Sequence, residues 1–150
     1  MAANKRGFFS AVVLSLVMLL VLAGCLFPGQ GEWEYDLPND YGVIMINSYN
    51  YVIVDRRSDN GFEVENLVLS FCHNDRFVCV QRIVPEDQHH ATREERRTKE
   101  PEFFIIDTAE RVRYGPFDEA GFEEQCEILS ITDLGEWKRT DSMPEGAVNR

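Results

Sequence analysis

The feature that divides this chain is the run from Phe8 to Phe27, which carries no charged residue. In a helix rising 1.5 Å per residue, a run of this length spans roughly 30 Å, the thickness of a bilayer core. Length alone therefore admits a membrane anchor. The layout argues for a processed address instead: Lys5 and Arg6 form a short basic region, Phe8 to Leu22 an apolar centre, and small Ala23 and Gly24 stand directly before Cys25. On this reading residues 1–24 are a signal peptide, and the fold must be made by the rest of the chain. The stretch from Cys25 to Arg150 suits one domain with a modest core.

The tetrad Leu22, Ala23, Gly24, Cys25 resembles the lipobox of bacterial lipoproteins. The resemblance implies that the Cys25 thiol is alkylated with diacylglycerol and becomes the new N-terminus after cleavage. Two or three acyl chains on one residue exceed what stable anchoring needs, so no further membrane element is expected. The implied location is the cell envelope, outside the cytoplasm. Leu26 is not the aspartate associated with inner-membrane retention, which favours the outer membrane if the cell has two. Residues 25–31, with Pro28, Gly29 and Gly31, read as a lipidated tether.

The chain has 15 basic and 26 acidic residues. Removing Lys5 and Arg6 with the signal leaves 13 basic residues and a net charge of −13. Such a surface repels nucleic acid and anionic headgroups, so no nucleic-acid partner is expected. It suits a soluble tethered domain, or one that meets a basic partner.

Residues 32–139 read as a single domain. In "EWEYDL", Trp33, Tyr35 and Leu37 alternate with Glu32, Glu34 and Asp36, the period of a half-buried strand. "GVIMINS" and "YVIVD" come next, split by a polar turn around Ser48 to Asn50. Asp59, Asn60 and Gly61 signal another turn. "NLVLSFC" and "RFVCVQRIV" read as a hairpin. Residues 85–102 hold one apolar side chain, Ala91, between Pro85 and Pro101, and read as a long solvated excursion with at most a helical turn. "FFIIDTAERVRYGPF" is a further hairpin with its turn near Thr108 to Arg111. Asp118 can then cap a helix in which Phe122, Cys126 and Leu129 share a face, opposite Glu119, Glu123, Glu124 and Glu127. Residues 130–139 look docked through Leu134 and Trp137, and residues 140–150 read as a flexible tail.

The order "RFVCVQR", long polar loop, "FFIIDTAERVRYGPF" and acidic helix, all behind the lipobox, resembles a family of small bacterial lipoproteins classed as a domain of unknown function. The resemblance covers Glu32 to Trp137 and is sharpest from Arg76 to Leu129. It implies an envelope location and supplies no catalytic residues.

Chemistry-bearing groups are few. Cys72, His73, Cys79, His89 and His90 are the soft ligands, but the cysteine spacing is not that of a zinc site, and strand neighbours Cys72 and His73 point to opposite faces. No metal or other cofactor is expected. With a turn at His73 to Arg76, Cys72 falls opposite Phe77 and Cys79 lies diagonal to it, about 7 Å away, which favours buried thiols over a bridge. No nucleophile elbow, phosphate-cradling glycine loop or zinc-protease helix occurs, so no catalytic residue is assigned. Candidate recognition residues are Tyr49 and Tyr51, which flank a turn, and Glu119, Glu123 and Glu124 on the outer helix face.

The expected fold is α+β: an antiparallel, meander-like sheet of about six or seven strands with one C-terminal helix packed on it. The expected function is a non-enzymatic binding or interaction role in the envelope, toward a protein or glycan. The alternatives are an acidic inhibitor or immunity-like protein acting on a basic enzyme and, ranked last, a hydrolase of an envelope polymer.

Overall fold

The computed structural model describes residues 33–47, 50–59, 61–65, 67–87, 91–142 and 144–149. The signal segment, Cys25, the tether, Tyr49, His89 and His90 lie outside them. The described strands are Trp33–Leu37 (β1), Tyr41–Asn47 (β2), Asn50–Asp55 (β3), Phe62–Val64 (β4), Val68–His73 (β5), Phe77–Arg82 (β6), Glu102–Asp107 (β7), Val112–Phe117 (β8), Lys138–Arg139 (β9) and Val148–Asn149 (β10). Two short helices accompany them, Glu95–Thr98 (α1) and Glu119–Ile128 (α2). All pairings are antiparallel, in two five-stranded sheets ordered β10-β1-β2-β3-β4 and β8-β7-β6-β5-β9. Among the described residues no helix is long and apolar enough to cross a membrane.

The expected strands are present, but they do not form one meander. There are two meanders, each lengthened at its first strand by a short C-terminal strand, and the domain is predominantly β. The reason lies in the burial. Trp33, Tyr41, Val43, Met45, Ile53 and Val64 of the first sheet share one buried cluster with Val68, Phe71, Val78, Val80, Phe104 and Ile106 of the second. A single sheet with one helix would leave these rows of β-branched and aromatic residues in water. Two sheets laid face to face cover both rows.

The turns are set by local chemistry. At the β1–β2 turn Asn39 and Asp40 adopt left-handed φ of 57° and 66°, a conformation their short polar side chains tolerate. At the β5–β6 turn Asn74 Oδ1 accepts from the N–H groups of Arg76 (2.9 Å) and Phe77 (2.7 Å). This turn corrects the expected register. Asn74 N–H donates to Phe77 O, so the loop residues are Asp75 and Arg76, and Cys72 faces Cys79 directly. All three described cysteines are nevertheless free thiols.

α2 forms as its sequence requires. Asp118 caps it by accepting from the Gly121 N–H at 2.8 Å, and the glycine leaves room for that carboxylate, since a Cβ would stand 3.1 Å from Asp118 Oδ1. Phe122, Cys126 and Leu129 pack on Cys72, Phe77, Cys79 and Ile105, the opposite face of the second sheet. Val78, Val80 and Phe104 point one way while Cys79 and Ile105 point the other, so this sheet is covered on both sides.

The segment after Arg139, expected to be loose, closes the fold. Thr140 is fully buried; its Oγ1 donates to the carbonyls of Val68 (2.6 Å) and Leu69 (3.1 Å). Farther on, Val148 pairs with Glu34 on the edge of β1. One short stretch thus pins both sheets. At the opposite end of the strands, Arg111 of the β7–β8 turn is paired with Asp55 at the end of β3, and Asn39 Nδ2 donates to Thr108 Oγ1 at 2.8 Å. Arg111 also lies 5.4 Å over the ring of Tyr41, whose phenol is pushed up to about 12, chiefly by burial and then by the charge of Asp55.

Candidate functional site

The sequence "TREERR" holds the turn that builds the site. Thr92 and Glu95 form a reciprocal cap: Glu95 N–H donates to Thr92 Oγ1 at 3.1 Å, while Glu95 Oε2 accepts from Thr92 N–H at 2.8 Å. Glu95 Oε1 also accepts from Glu86 N–H at 2.9 Å, and Lys99 Nζ donates to Val84 O at 3.0 Å. The excursion is thereby folded back on its own stem.

Folded in this way, residues 91–97 form one wall of a cavity of about 780 Å³. Arg93, Arg96 and Arg97 stand on that wall, and Arg139, Thr140 and Asp141 of the C-terminal closure stand among the other lining residues. Tyr51, Leu69, Ser70 and Gln81 complete the lining. Tyr51 is buried, its ring 5.1 Å from that of Trp33. The Ser70 hydroxyl donates to Gln81 Oε1 at 2.7 Å. Arg139 and Asp141 are paired at 2.6 Å, which raises the guanidinium and holds the carboxyl below its ordinary range. Among the described residues, four arginines and one aspartate make this lining basic on a chain whose net charge is −11.

A second, shallower hollow of about 560 Å³ lies beside the start of α2, lined by Glu100, Asp118, Glu119 and Glu123 with Pro101, Phe103 and Ala120. Of the residues singled out in the sequence, Tyr51 thus lines the basic cleft, Glu119 and Glu123 line the acidic hollow, and Glu124 is exposed. They do not converge on one surface. Trp137 is 41% exposed, and it and Phe122 pack with Phe103 near the same hollow.

The soft ligands are divided as strand alternation requires. His73 Nε2 meets Tyr35 OH at 3.1 Å on the inter-sheet side, whereas Cys72 and Cys79 lie beneath α2 with Cys126. Among the described residues no group of three or more His, Cys, Asp or Glu could hold a metal ion. The Cys79 thiol is pushed far above the ordinary thiol range, first by its hydrogen bond with Cys72 and then by burial. Burial likewise raises Cys126. These are poor nucleophiles.

A charge run in a polar loop reads as solvated, which hides these arginines from the sequence alone. The signal that could have found them is the capping pattern Thr92-Arg-Glu-Glu95, which folds that run into a wall.

The chain belongs to a family described as "Protein of unknown function (DUF3997)", whose model matches residues 38–139. That span contains the four cleft arginines. No curated protein and no solved structure matches the chain.

Proposed function

We propose that this is a lipid-anchored protein of the bacterial cell envelope that acts by binding, through the arginine-lined cleft, and not by catalysis. The observation that carries the reading is the reversal of charge: an acidic chain gathers four arginines around one cavity. Like charges brought together repel one another, and a bound anion offsets that repulsion. The lining supplies guanidiniums and the Gln81 amide, which are groups that hold and orient. The lipobox at Leu22 to Cys25 supports the anchor.

Two measurements test this. The Cys25→Ser variant is expected to lose incorporation of labelled fatty acid and to leave the membrane; unchanged labelling would sink the anchor. Envelope material captured by the full chain is expected to be lost from the Arg93→Ala/Arg97→Ala variant. Undiminished capture would remove the cleft from the function.

The acidic hollow favours a second reading, an inhibitor or immunity-like protein for a basic enzyme. A partner held there should dissociate as salt rises, because exposed charges are screened over roughly 8 Å at physiological ionic strength. A partner indifferent to salt and to Glu119→Gln/Glu123→Gln would exclude it.

A further inference from the structure

Resting on the reading of the arginine-lined cleft as a binding site, we infer that its ligand is a phosphate ester: a phosphoryl group held by guanidiniums, joined to an organic body lying along the Tyr51 and Leu69 side. Three observations lead there.

The first is the choice of cation. Among the described residues the lining holds Arg93, Arg96, Arg97 and Arg139 and no lysine. A guanidinium presents a planar fork that meets two oxygens of one anion at once, which an ammonium cannot do. A planar carboxylate is largely satisfied by one such fork. A tetrahedral dianion has further oxygens left for a second and third, so a cluster of forks favours the phosphoryl group.

The second is size. A cavity of about 780 Å³ falls in the range that encloses small organic ligands, roughly 300–1,000 Å³. Bare phosphate would occupy only a few times the ~30 Å³ share of one water. The remaining space calls for an organic portion.

The third is the rest of the lining. Leu69, Ala91 and Tyr51 bring apolar groups to the lining. The Ser70 hydroxyl is spent on Gln81 Oε1, which leaves the Gln81 amide nitrogen as a donor for hydroxyls or ester oxygens. Arg139 is shared with Asp141, so Arg93 and Arg97 carry the anion.

Two sources offer this chemistry: a soluble phosphate ester, or the headgroup of an anionic phospholipid. The experiment uses the full chain in neutral detergent micelles and follows thermal unfolding by tryptophan fluorescence. The probes are glycerol 3-phosphate, citrate, and micelles doped with phosphatidylglycerol or with phosphatidylcholine. Glycerol 3-phosphate is expected to raise Tm saturably, with half-saturation about tenfold weaker for each guanidinium removed in Arg93→Ala and Arg97→Ala. Both side chains are exposed, so the variants should fold; an unchanged Tm without probe checks this. An arginine-dependent rise with phosphatidylglycerol alone would assign the headgroup and support the same chemistry. Citrate matching glycerol 3-phosphate, or a response equal in variant and wild type, would overturn the phosphate assignment. If no phosphate probe acts while arginine-dependent capture from envelopes persists, the phosphate inference falls and the binding reading stands.

Discussion

The second sheet is covered on both faces, but by unlike layers. On one side Phe71, Val78, Val80, Phe104 and Ile106 meet a whole opposing sheet, and each is at most 3% exposed. On the other, Cys72, Phe77, Cys79 and Ile105 meet α2, of whose residues none is fully buried. The contrast has a physical origin. A sheet can interdigitate along the full length of its neighbour, whereas a ten-residue helix offers one stripe, here Phe122 and Cys126 with Leu129 at its C-cap, and turns its acids outward. The inter-sheet layer should therefore govern global stability, while the helix layer opens at lower cost.

The largest effect should come from the inter-sheet side. Phe71→Ala removes a fully buried ring and should cost about 3–5 kcal/mol in urea denaturation. Phe122→Ala, at a half-buried position on α2, should cost about 1–2 kcal/mol. Equal losses would break the contrast and make the helix part of the same cooperative core.

Thr140 tests the seam that closes both sheets. Thr140→Val keeps the volume and removes the hydroxyl bonded to Val68 and Leu69, for an expected loss of about 1–2 kcal/mol. Deleting residues 140–150 should cost more, since β10 goes with it. No loss from the deletion would show that the closure is idle.

Thiol labelling sharpens the comparison within the helix layer. Cys126 is partly exposed, whereas Cys72 and Cys79 are buried beneath it. Under native conditions Cys126 should react first, and slowly, because burial raises its pKa. Labelling of Cys72 and Cys79 should accompany opening of α2, well before global unfolding. If both instead react only at the global unfolding rate, α2 does not open on its own.

The two layers differed in how well the sequence disclosed them. Strands β1, β2, β3, β5, β6, β7 and β8 were legible because alternation or β-branched runs are bounded by real turn chemistry at Asn39, Asn74 and Asp107. α2 was legible from its Asp118 cap and apolar stripe. The second layer of sheet was hidden in plain composition: "FVCV" and "FFII" are apolar at successive positions, which means a cover on each face, and one helix can supply only one. β4, β9 and β10 are three or two residues long, too short for any periodicity to show. Their pairing is decided by the sheet edges they meet. Tyr51, a recognition candidate from its place beside a turn, does line the cleft, but as a buried residue, while its arginine neighbours come from sequence positions 42 to 88 residues away. Only tertiary closure assembles them.

The smallest effect should come from the segment that carries three of those arginines. Glu95 holds it together, and its carboxyl is lowered to about 2, first by the Glu86 N–H and then by the Thr92 amide and hydroxyl. With the folded value below the unfolded one, the carboxylate's hydrogen bonds favour this local structure above roughly pH 4.3, and that contribution is lost as pH falls toward 2. Amide exchange should therefore show Glu86 and Thr92 protected at about pH 5 and released near pH 2, while the amides of β6 and β7 stay protected. Glu95→Gln should weaken the protection of both amides at about pH 5 and leave the urea midpoint almost unmoved, since Glu95 lies outside both apolar layers. A variant as destabilised as Thr140→Val would place the cleft wall in the cooperative core. A small local effect would mean that the wall can open while both sheets stay closed, which is what a cleft that admits a ligand requires.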